Sequence, residues 1–194
     1  MLKIHVIVGS TREGRYGDKP AHWICQRLGE HGGVAAEIVD LRDWPLPFFD
    51  QARPPAMVTD GNYGNAVANR FAAKIGEADG FVITAAEYNH GYTAVLKNAF
   101  DWTFREWGRK PVTFVGYGNA GGARAIEQLR AVAVELEMAP IRRAVHLPVE
   151  VLIATMKETA PAPRELFAKA EPAASLLVAD LVWWATALRR ARHA

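Results

Sequence analysis

The segment GSTREGRYGD, residues 9–18, follows an apolar run at 3–8 and precedes a predicted helix at 18–31. It offers the hydroxyl groups of Ser10 and Thr11 and the guanidinium groups of Arg12 and Arg15, whose planar forks suit phosphate oxygens. The helix N-terminus adds backbone N–H donors for an anion. The segment lacks the Gly-Lys-Ser/Thr ending of a Walker A loop. It predicts a phosphate site of another type; the alternative is an ordinary strand-to-helix turn with surface arginines.

A second polar segment, EYNHG at 87–91, follows the apolar run GFVITA at 80–85. The Tyr88 ring can stack on a planar ligand, and the Asn89 amide can both donate and accept hydrogen bonds. The alternatives are a core aromatic under a loop for Tyr88 and a surface histidine for His90. The six histidines form no closely spaced pair typical of a metal site, so no metal is expected. The segment favours a planar, hydrogen-bonding ligand.

A third segment, GYGNAG at 116–121, has the literal spacing G-x-G-x-x-G between an apolar run and a predicted helix. A dinucleotide site normally uses the first strand-to-helix turn and an acidic residue at the end of the next strand. Here the next predicted strand, 141–147, is followed by no carboxylate until Glu150. We therefore expect these glycines to let a flat ligand approach the backbone rather than to bind a pyrophosphate.

Five apolar runs alternate with five helix-like segments, which is typical of an α/β fold with a parallel sheet covered on both faces. The predicted strands are 3–8, 35–41, 80–85, 111–117 and 141–147, and the predicted helices are 18–31, 63–77, 92–106, 122–138 and 164–192. Ligands of such folds bind at the carboxyl ends of the strands, where all three polar segments lie. The segment 42–62 carries four prolines and is either a functional lid or a packing arm. We expect one domain spanning residues 1–194.

The charge balance is close to neutral, with 23 basic and 21 acidic residues, and three of the basic residues lie in the last six positions. This balance gives no support for nucleic-acid binding. The single cysteine, Cys25, fits a reducing compartment. The longest apolar stretch, 176–188, is interrupted by Asp180 and is too short to span a bilayer. With no secretory signal pattern, the sequence indicates a soluble cytoplasmic protein.

Three stretches together resemble the NAD(P)H-dependent FMN reductase family: GSTREGRYGDKPAHWI at 9–24, EYNHGYTAVLKNAFDW at 87–102 and GYGNAGGARAIEQLR at 116–130. The resemblance implies a flavodoxin-like three-layer sandwich with a five-stranded parallel sheet in the order 2-1-3-4-5. It also implies FMN as the cofactor and NADPH or NADH as the co-substrate.

The resemblance also assigns residues to the parts of FMN. The phosphate residues are Ser10, Arg12, Arg15 and Gly17, with Tyr16 as a further cofactor-binding residue; Glu87, Tyr88 and Asn89 lie beside the isoalloxazine ring, and Gly118 and Asn119 at its pyrimidine side. Two positions depart from the family pattern. Ala86 stands where the family commonly has proline, and this exchange is expected to loosen the loop that shapes the flavin pocket. Gly17 stands where many relatives carry a phosphate-binding serine, and Arg15 is expected to compensate.

The resemblance implies an oxidoreductase that passes hydride from NAD(P)H through FMN to a small acceptor, such as a quinone, free flavin, azo compound or metal oxyanion. No catalytic side chain is expected, because the chemistry would take place at flavin N5. The alternatives are a flavodoxin-type FMN electron carrier, a flavin-binding regulatory protein, and a nucleotide-binding domain without flavin. Carriers of the first type tend to be strongly acidic, unlike this chain.

The sequence LLVADLVWWATAL at 176–188 is apolar nearly all round, which is more than one core-facing stripe requires. Trp102, Trp107 and the segment WPLPFF at 44–49 add further apolar area. Burial in the core of a single chain is the alternative for each. Together with the resemblance, these elements favour a homodimer or homotetramer, with no membrane or nucleic-acid partner.

Overall fold

The computed structural model describes all residues, 1–194, and has a parallel β-sheet at its centre. The strands are β1 Leu2–Val8, β2 Val34–Asp40, β3 Gly80–Ala86, β4 Pro111–Tyr117, β5 Ala139–Pro140 and β6 Val145–His146. They run in the order β2-β1-β3-β4-β5, and β6 also pairs with β4. This order confirms the flavodoxin-like prediction and brings the carboxyl ends of β1, β3 and β4 side by side.

The two central strands β3 and β4 are buried at every position, whereas the edge strand β2 is only partly buried. Continuous apolar strands need cover on both faces of the sheet. That cover comes from the helices α1 Asp18–Gly29, α2 Ala66–Gly76, α3 Ala94–Trp102, α4 Ala123–Glu135, α5 Val149–Thr155 and α6 Glu171–Arg192. Helices α1 and α6 pack on one face through residues such as Trp23 and Leu181. Helices α2, α3 and α4 pack on the other face through Phe71, Leu96 and Leu129.

Two helices of the second face begin at side-chain caps, slightly later than predicted. The Asn65 side chain accepts two hydrogen bonds from backbone N–H groups at the start of α2, at 2.8 and 3.1 Å. The Thr93 hydroxyl accepts one from Leu96 N at 3.3 Å and donates one to the carbonyl of Gly9 at 2.5 Å. Such caps typically contribute about 1 kcal/mol each. The bond to Gly9 also ties the start of α3 to the end of β1, beside the predicted phosphate segment.

The fifth strand, expected at 141–147, is in fact two short strands, β5 and β6, which both pair parallel to β4. Between them the carbonyl of Arg143 accepts a hydrogen bond from the Thr113 hydroxyl at 2.5 Å. The Arg130 guanidinium donates to the carbonyls of Ile141 and Arg142. Side chains thus satisfy carbonyl groups that a continuous ladder would have paired with backbone, and the strand is interrupted there.

The C-terminal part of the chain differs from the prediction in two further ways. The short helix α5 was not predicted, and the helix expected at 164–192 begins as a 3₁₀ segment, Arg164–Ala170, before α6. Pro172 lies in the first turn of α6, where its missing N–H has no intrahelical partner to lose. None of the helices combines the length and hydropathy needed to cross a bilayer.

The proline-containing segment 42–62 is held against α3, which favours the packing arm over the lid. The Asn98 side chain donates to the carbonyls of Leu46 and Pro47, at 3.2 and 2.8 Å, and accepts from Phe49 N at 3.0 Å. The Trp102 indole N–H donates to the same Pro47 carbonyl at 2.6 Å. Four hydrogen bonds from one helix face therefore fix the first part of this segment.

Candidate functional site

The three polar segments meet at one pocket of about 340 Å³ at the carboxyl end of the sheet. Its volume is in the range of small-molecule sites. Five of the residues predicted to bind a cofactor line it: Arg12, Tyr16, Glu87, Tyr88 and Gly118. The lining also includes residues that the sequence did not single out, among them Lys19, Tyr117, Leu152 and Met156. The other five predicted residues do not line the pocket, but each lies within two positions of a lining residue; they are Ser10, Arg15, Gly17, Asn89 and Asn119.

The first segment is joined to the second by a direct hydrogen bond. The buried Ser10 hydroxyl lies 2.8 Å from the Tyr88 hydroxyl, across 78 positions of sequence. Ser10 Oγ is also 3.4 Å from the backbone N of Arg12. The Arg12 guanidinium is exposed and lies 6.0 Å from the centroid of the Tyr88 ring, with no carboxylate partner. Arg12 is therefore a free cation at the pocket, available to an anionic ligand.

Arg15, by contrast, is already engaged. Its guanidinium donates to the Ser10 carbonyl at 2.7 Å and forms a two-point pair with Asp40 at the end of β2, and its Nε lies 2.5 Å from Asp18 Oδ1. Burial alone would raise the pKa of Asp40, but the hydrogen bonds and positive charges of Arg15 and Arg42 together outweigh it and lower that pKa. The structure places Arg15 behind the loop, where it braces Ser10, and not in the pocket lining where a phosphate ligand was expected.

Tyr117, the last residue of β4, explains the glycine at position 17. A Cβ atom added to Gly17 would lie 2.6 Å from the Tyr117 hydroxyl, so no side chain fits there without a shift. The Tyr117 side chain is buried, and its hydroxyl has no hydrogen-bond partner. Burial raises the pKa of Tyr117, so the hydroxyl keeps its proton and remains a donor.

An unpartnered buried hydroxyl is unusual, and its position is informative. Buried polar groups are nearly always paired, and leaving one unpaired costs about 1–3 kcal/mol. This donor points at Gly17, immediately before the N-terminus of α1, where the helix favours negative charge. The residues present therefore fit the phosphate of FMN: Tyr117, with its unused hydroxyl donor beside the N-terminus of α1, and the free Arg12 guanidinium line the same pocket.

The second segment forms a tight turn at the pocket rim. Tyr88 and Gly91 exchange backbone hydrogen bonds at 2.8 and 3.0 Å. The two central residues, Asn89 and His90, have φ of 50° and 69°. Both angles are left-handed, as in a type I′ turn, a conformation that is costly for most residues other than glycine and asparagine. Gln128 on α4 holds the turn by donating to the His90 carbonyl at 3.1 Å.

Glu87 connects the second segment to the third. Its nearly buried carboxylate accepts from Arg124 Nε at 2.6 Å and from Arg124 backbone N at 3.1 Å, at the start of α4. These hydrogen bonds lower the pKa of Glu87. Arg124 Nη1 also lies 2.9 Å from His90 Nε2. The backbone N of Glu87 donates to the Tyr117 carbonyl at 3.0 Å. The Glu87 carboxylate thus fixes the loop from the side of α4, a connection that the sequence did not reveal.

The glycines of the third segment serve mainly the turn itself. A Cβ on Gly116 would lie 2.5 Å from the Gly121 carbonyl, and one on Gly122 would lie 2.7 Å from Gly116 Cα. Only Gly118, with φ of 138°, faces the pocket, where a Cβ would lie 3.2 Å from Glu87 Cβ. Of the three glycines in the G-x-G-x-x-G spacing, Gly116 is therefore explained by backbone crossing backbone, and the approach of a flat ligand stays a prediction at Gly118.

The comparison with known sequences defines the class of protein. The chain matches the NADPH-dependent FMN reductase family over residues 2–150. The chain belongs to this family, whose cofactor, FMN, agrees with the donors found at the pocket. The matched span ends within α5, and Leu152 of this helix and Met156, directly after it, also line the pocket.

Individual relatives narrow the class further. An NAD(P)H-dependent FMN reductase of Schizosaccharomyces pombe is 39% identical over 148 residues, which cover 75% of this chain and 74% of the relative. An NAD(P)H:quinone oxidoreductase of Solanum tuberosum is 34% identical over 145 residues, covering 71% and 70%. The structure of FerB, a flavoenzyme NAD(P)H:(acceptor) oxidoreductase from Paracoccus denitrificans, has the same fold, with a TM-score of 0.66 over 98% of both chains at 22% identity. The protein is an FMN-dependent NAD(P)H oxidoreductase.

Proposed function

We propose that this protein passes hydride from NAD(P)H through FMN to a small quinone-type acceptor. The observation that carries the proposal is the unpaired Tyr117 hydroxyl beside Gly17 at the start of α1, in a pocket that the free Arg12 guanidinium also lines. The quinone acceptor is favoured because relatives at 33 and 34% identity are a 2-hydroxy-1,4-benzoquinone reductase of Burkholderia sp and an NAD(P)H:quinone oxidoreductase.

At the phosphate end, we assign binding to Arg12, to the Tyr117 hydroxyl and to the backbone around Gly17. Charge-assisted hydrogen bonds to phosphate are about twice as strong as neutral ones, so Arg12 has the largest share. Ser10 contributes through its hydroxyl, which now bonds to Tyr88. Arg15 is a positioning residue in this proposal, because its donors already hold Asp40 and the Ser10 carbonyl.

At the ring end, FMN when bound supplies the N5 atom that takes and returns hydride. Tyr88 and Gly118 would contact the ring, and the turn residue Asn89 and the exposed Asn119 would lie at its edge. Glu87 would hold this loop in place through Arg124. No side chain is assigned a catalytic role, and the function of these residues is to bind, orient and exclude water.

The acceptor would bind against the apolar wall that α5 provides. Leu152 and Met156 line the pocket on this side. Helix α5 is tied to the first segment because the Tyr16 hydroxyl lies 2.6 Å from the Thr155 hydroxyl. An apolar wall suits a planar, weakly polar molecule such as a quinone.

We also propose a single domain that forms a homodimer or homotetramer in the cytoplasm. Large apolar side chains remain exposed on α6: Leu176 at 49%, Trp183 at 65% and Trp184 at 39%. Apolar area of this kind is typical of an interface between subunits. The single cysteine supports a reducing compartment. Sedimentation as a monomer at micromolar concentration would contradict the oligomer.

The test is anaerobic reduction of the FMN-loaded protein. The flavin absorbance is monitored while NADPH, and then NADH, is added. We expect rapid bleaching, with the faster nucleotide identifying the donor, and recovery of the absorbance on adding a benzoquinone. Tight flavin binding without bleaching would instead indicate an electron carrier or a regulatory protein. Absence of flavin binding would overturn the assignment of the pocket.

A further inference from the structure

A second group of potential ligands lies away from the flavin pocket, on the sheet face covered by α2. His5 on β1 is paired in register with Glu37 on β2, so their side chains share one face of the sheet. Glu77 follows the last turn of α2 and completes the group. One ligand atom from each residue lies within 4.8 Å of the others. One imidazole and two carboxylates therefore converge on one small volume.

His5 is the unusual member of the group. It is only 1% exposed, it forms no hydrogen bond, and its Nδ1 is fully buried without a partner. Its Nε2 faces the group at 3.7 Å from Glu37 Oε2. The buried ring therefore presents its Nε2 atom to the two carboxylates.

A cation already occupies the position between the two carboxylates. The Lys74 ammonium lies 2.7 Å from Glu37 Oε2 and 3.2 Å from Glu77 Oε2. Its side chain leaves from the last turn of α2 and is partly exposed, so it can turn outward into solvent. The group thus has the charge that a cation requires and a competitor that can leave.

We propose that His5, Glu37 and Glu77 bind a divalent transition-metal ion of the Zn²⁺ type, in exchange for the Lys74 ammonium. An imidazole nitrogen with two carboxylate oxygens is a normal three-ligand set for Zn²⁺, with water in the fourth position. The imidazole makes Mg²⁺ and Ca²⁺ poor occupants, because these ions prefer oxygen ligands. Bonds of about 2.0–2.2 Å require the three side chains to close in slightly from their present separation.

The ion would join β1, β2 and the end of α2, three elements that are distant in sequence. A ligand that binds only the folded chain stabilises it by mass action. The site lies on β1 before the flavin segment begins at Gly9, and none of its residues lines the flavin pocket. Metal binding can therefore be measured separately from flavin chemistry.

The experiment is titration of the FMN-loaded, tag-free protein with ZnCl₂. Binding is measured by calorimetry, and the change in stability by thermal unfolding. We expect one ion per chain and a rise in Tm. Glu77→Gln removes one ligand at an exposed position and is expected to weaken Zn²⁺ affinity about tenfold or more. Lys74→Met removes the competing ammonium and is expected to strengthen it by a similar factor. His31→Ala is the matched control, because His31 is an exposed histidine outside the group, and it should leave the affinity unchanged.

The opposite changes in Zn²⁺ affinity expected for Glu77→Gln and Lys74→Met distinguish this site from adventitious binding. Adventitious binding at His31 would be weakened by His31→Ala, and adventitious binding at any surface histidine would be insensitive to Glu77→Gln. Equal stabilisation of the wild type and Glu77→Gln, weaker binding in Lys74→Met, or no binding to the wild type would each overturn the proposal. Because Glu77 and Lys74 are both at the surface end of the group, neither test depends on replacing the buried His5.

Discussion

Replacing Tyr117 by phenylalanine removes one oxygen atom, and we expect it to affect the apoprotein and the flavin complex in opposite directions. In the apoprotein the hydroxyl is buried without a partner, so its removal relieves a desolvation cost. With some relaxation around the site, the gain is about 1 kcal/mol, which corresponds to roughly 2–4 °C in Tm for a chain of this size.

In the FMN complex the same change would remove a donor to the phosphate. A hydrogen bond to a charged acceptor contributes about 1.5–3 kcal/mol, which predicts that the FMN Kd rises roughly 10- to 100-fold in Tyr117→Phe. The stability gained by the apoprotein adds to this loss, because stabilising the empty protein relative to the FMN complex weakens FMN binding. Without FMN, the Tyr117→Phe variant should therefore be more stable to unfolding than the wild type. It should also bind FMN more weakly than the wild type does.

Tyr16→Phe is the matched control, because the Tyr16 hydroxyl does have a partner, Thr155 at 2.6 Å. Its loss should destabilise the apoprotein by about 1 kcal/mol. The assays are urea unfolding of both apoproteins and FMN titration followed by flavin fluorescence. If Tyr117→Phe lowers the stability of the apoprotein, or leaves the FMN Kd unchanged, the reasoning from the unpaired hydroxyl is refuted.

Three further substitutions test other contacts. Arg12→Ala should raise the FMN Kd tenfold or more with unchanged circular dichroism, whereas the exposed control Arg53→Ala should leave it unchanged. Gly17→Ala should cost about 2 kcal/mol by urea unfolding, less in a Tyr117→Phe background; equal costs would exclude the predicted clash. Burial lowers the pKa of Lys110 from 10.5 to about 8, so the unfolded chain binds more protons between these values and stability rises with pH. The rise from pH 8 to 10 should be about 2 kcal/mol greater in the wild type than in Lys110→Met, and parallel profiles would contradict it.

The fold could be predicted because its signals are local. The apolar runs that became β3 and β4 are buried at every residue, as the pattern required. The fifth strand could not be predicted in full, because its interruption depends on the Thr113 hydroxyl and the Arg130 guanidinium, which reach it from β4 and α4. Helix α5 is only seven residues long, too short to show a clear helical period.

The phosphate segment was predicted from residue types, but residue types do not reveal which side chains already have partners within the fold. Arg12 and Arg15 look equivalent in the sequence. Only the sheet order distinguishes the two arginines. It places the end of β2, with Asp40, beside the end of β1, where Arg15 pairs with the Asp40 carboxylate. The predicted order 2-1 and an aspartate at the end of the second strand contained this information. An arginine next to such a strand end is therefore expected to form an ion pair within the fold rather than to bind a ligand.

Tyr117 was missed for a related reason, although the alternation of a strand was enough to place it. Side chains along β4 alternate between the two faces, so Val115 and Tyr117 point towards α1, and Gly116 points towards α4. The G-x-G-x-x-G spacing drew attention to the glycines, whose main role is to let the turn cross itself. The residue between the first two glycines carries the unpaired donor instead, and its hydroxyl is what makes Gly17 necessary. A side chain at position 17 would lie within 2.6 Å of the Tyr117 hydroxyl in its present position, and in this chain the tyrosine occupies that space.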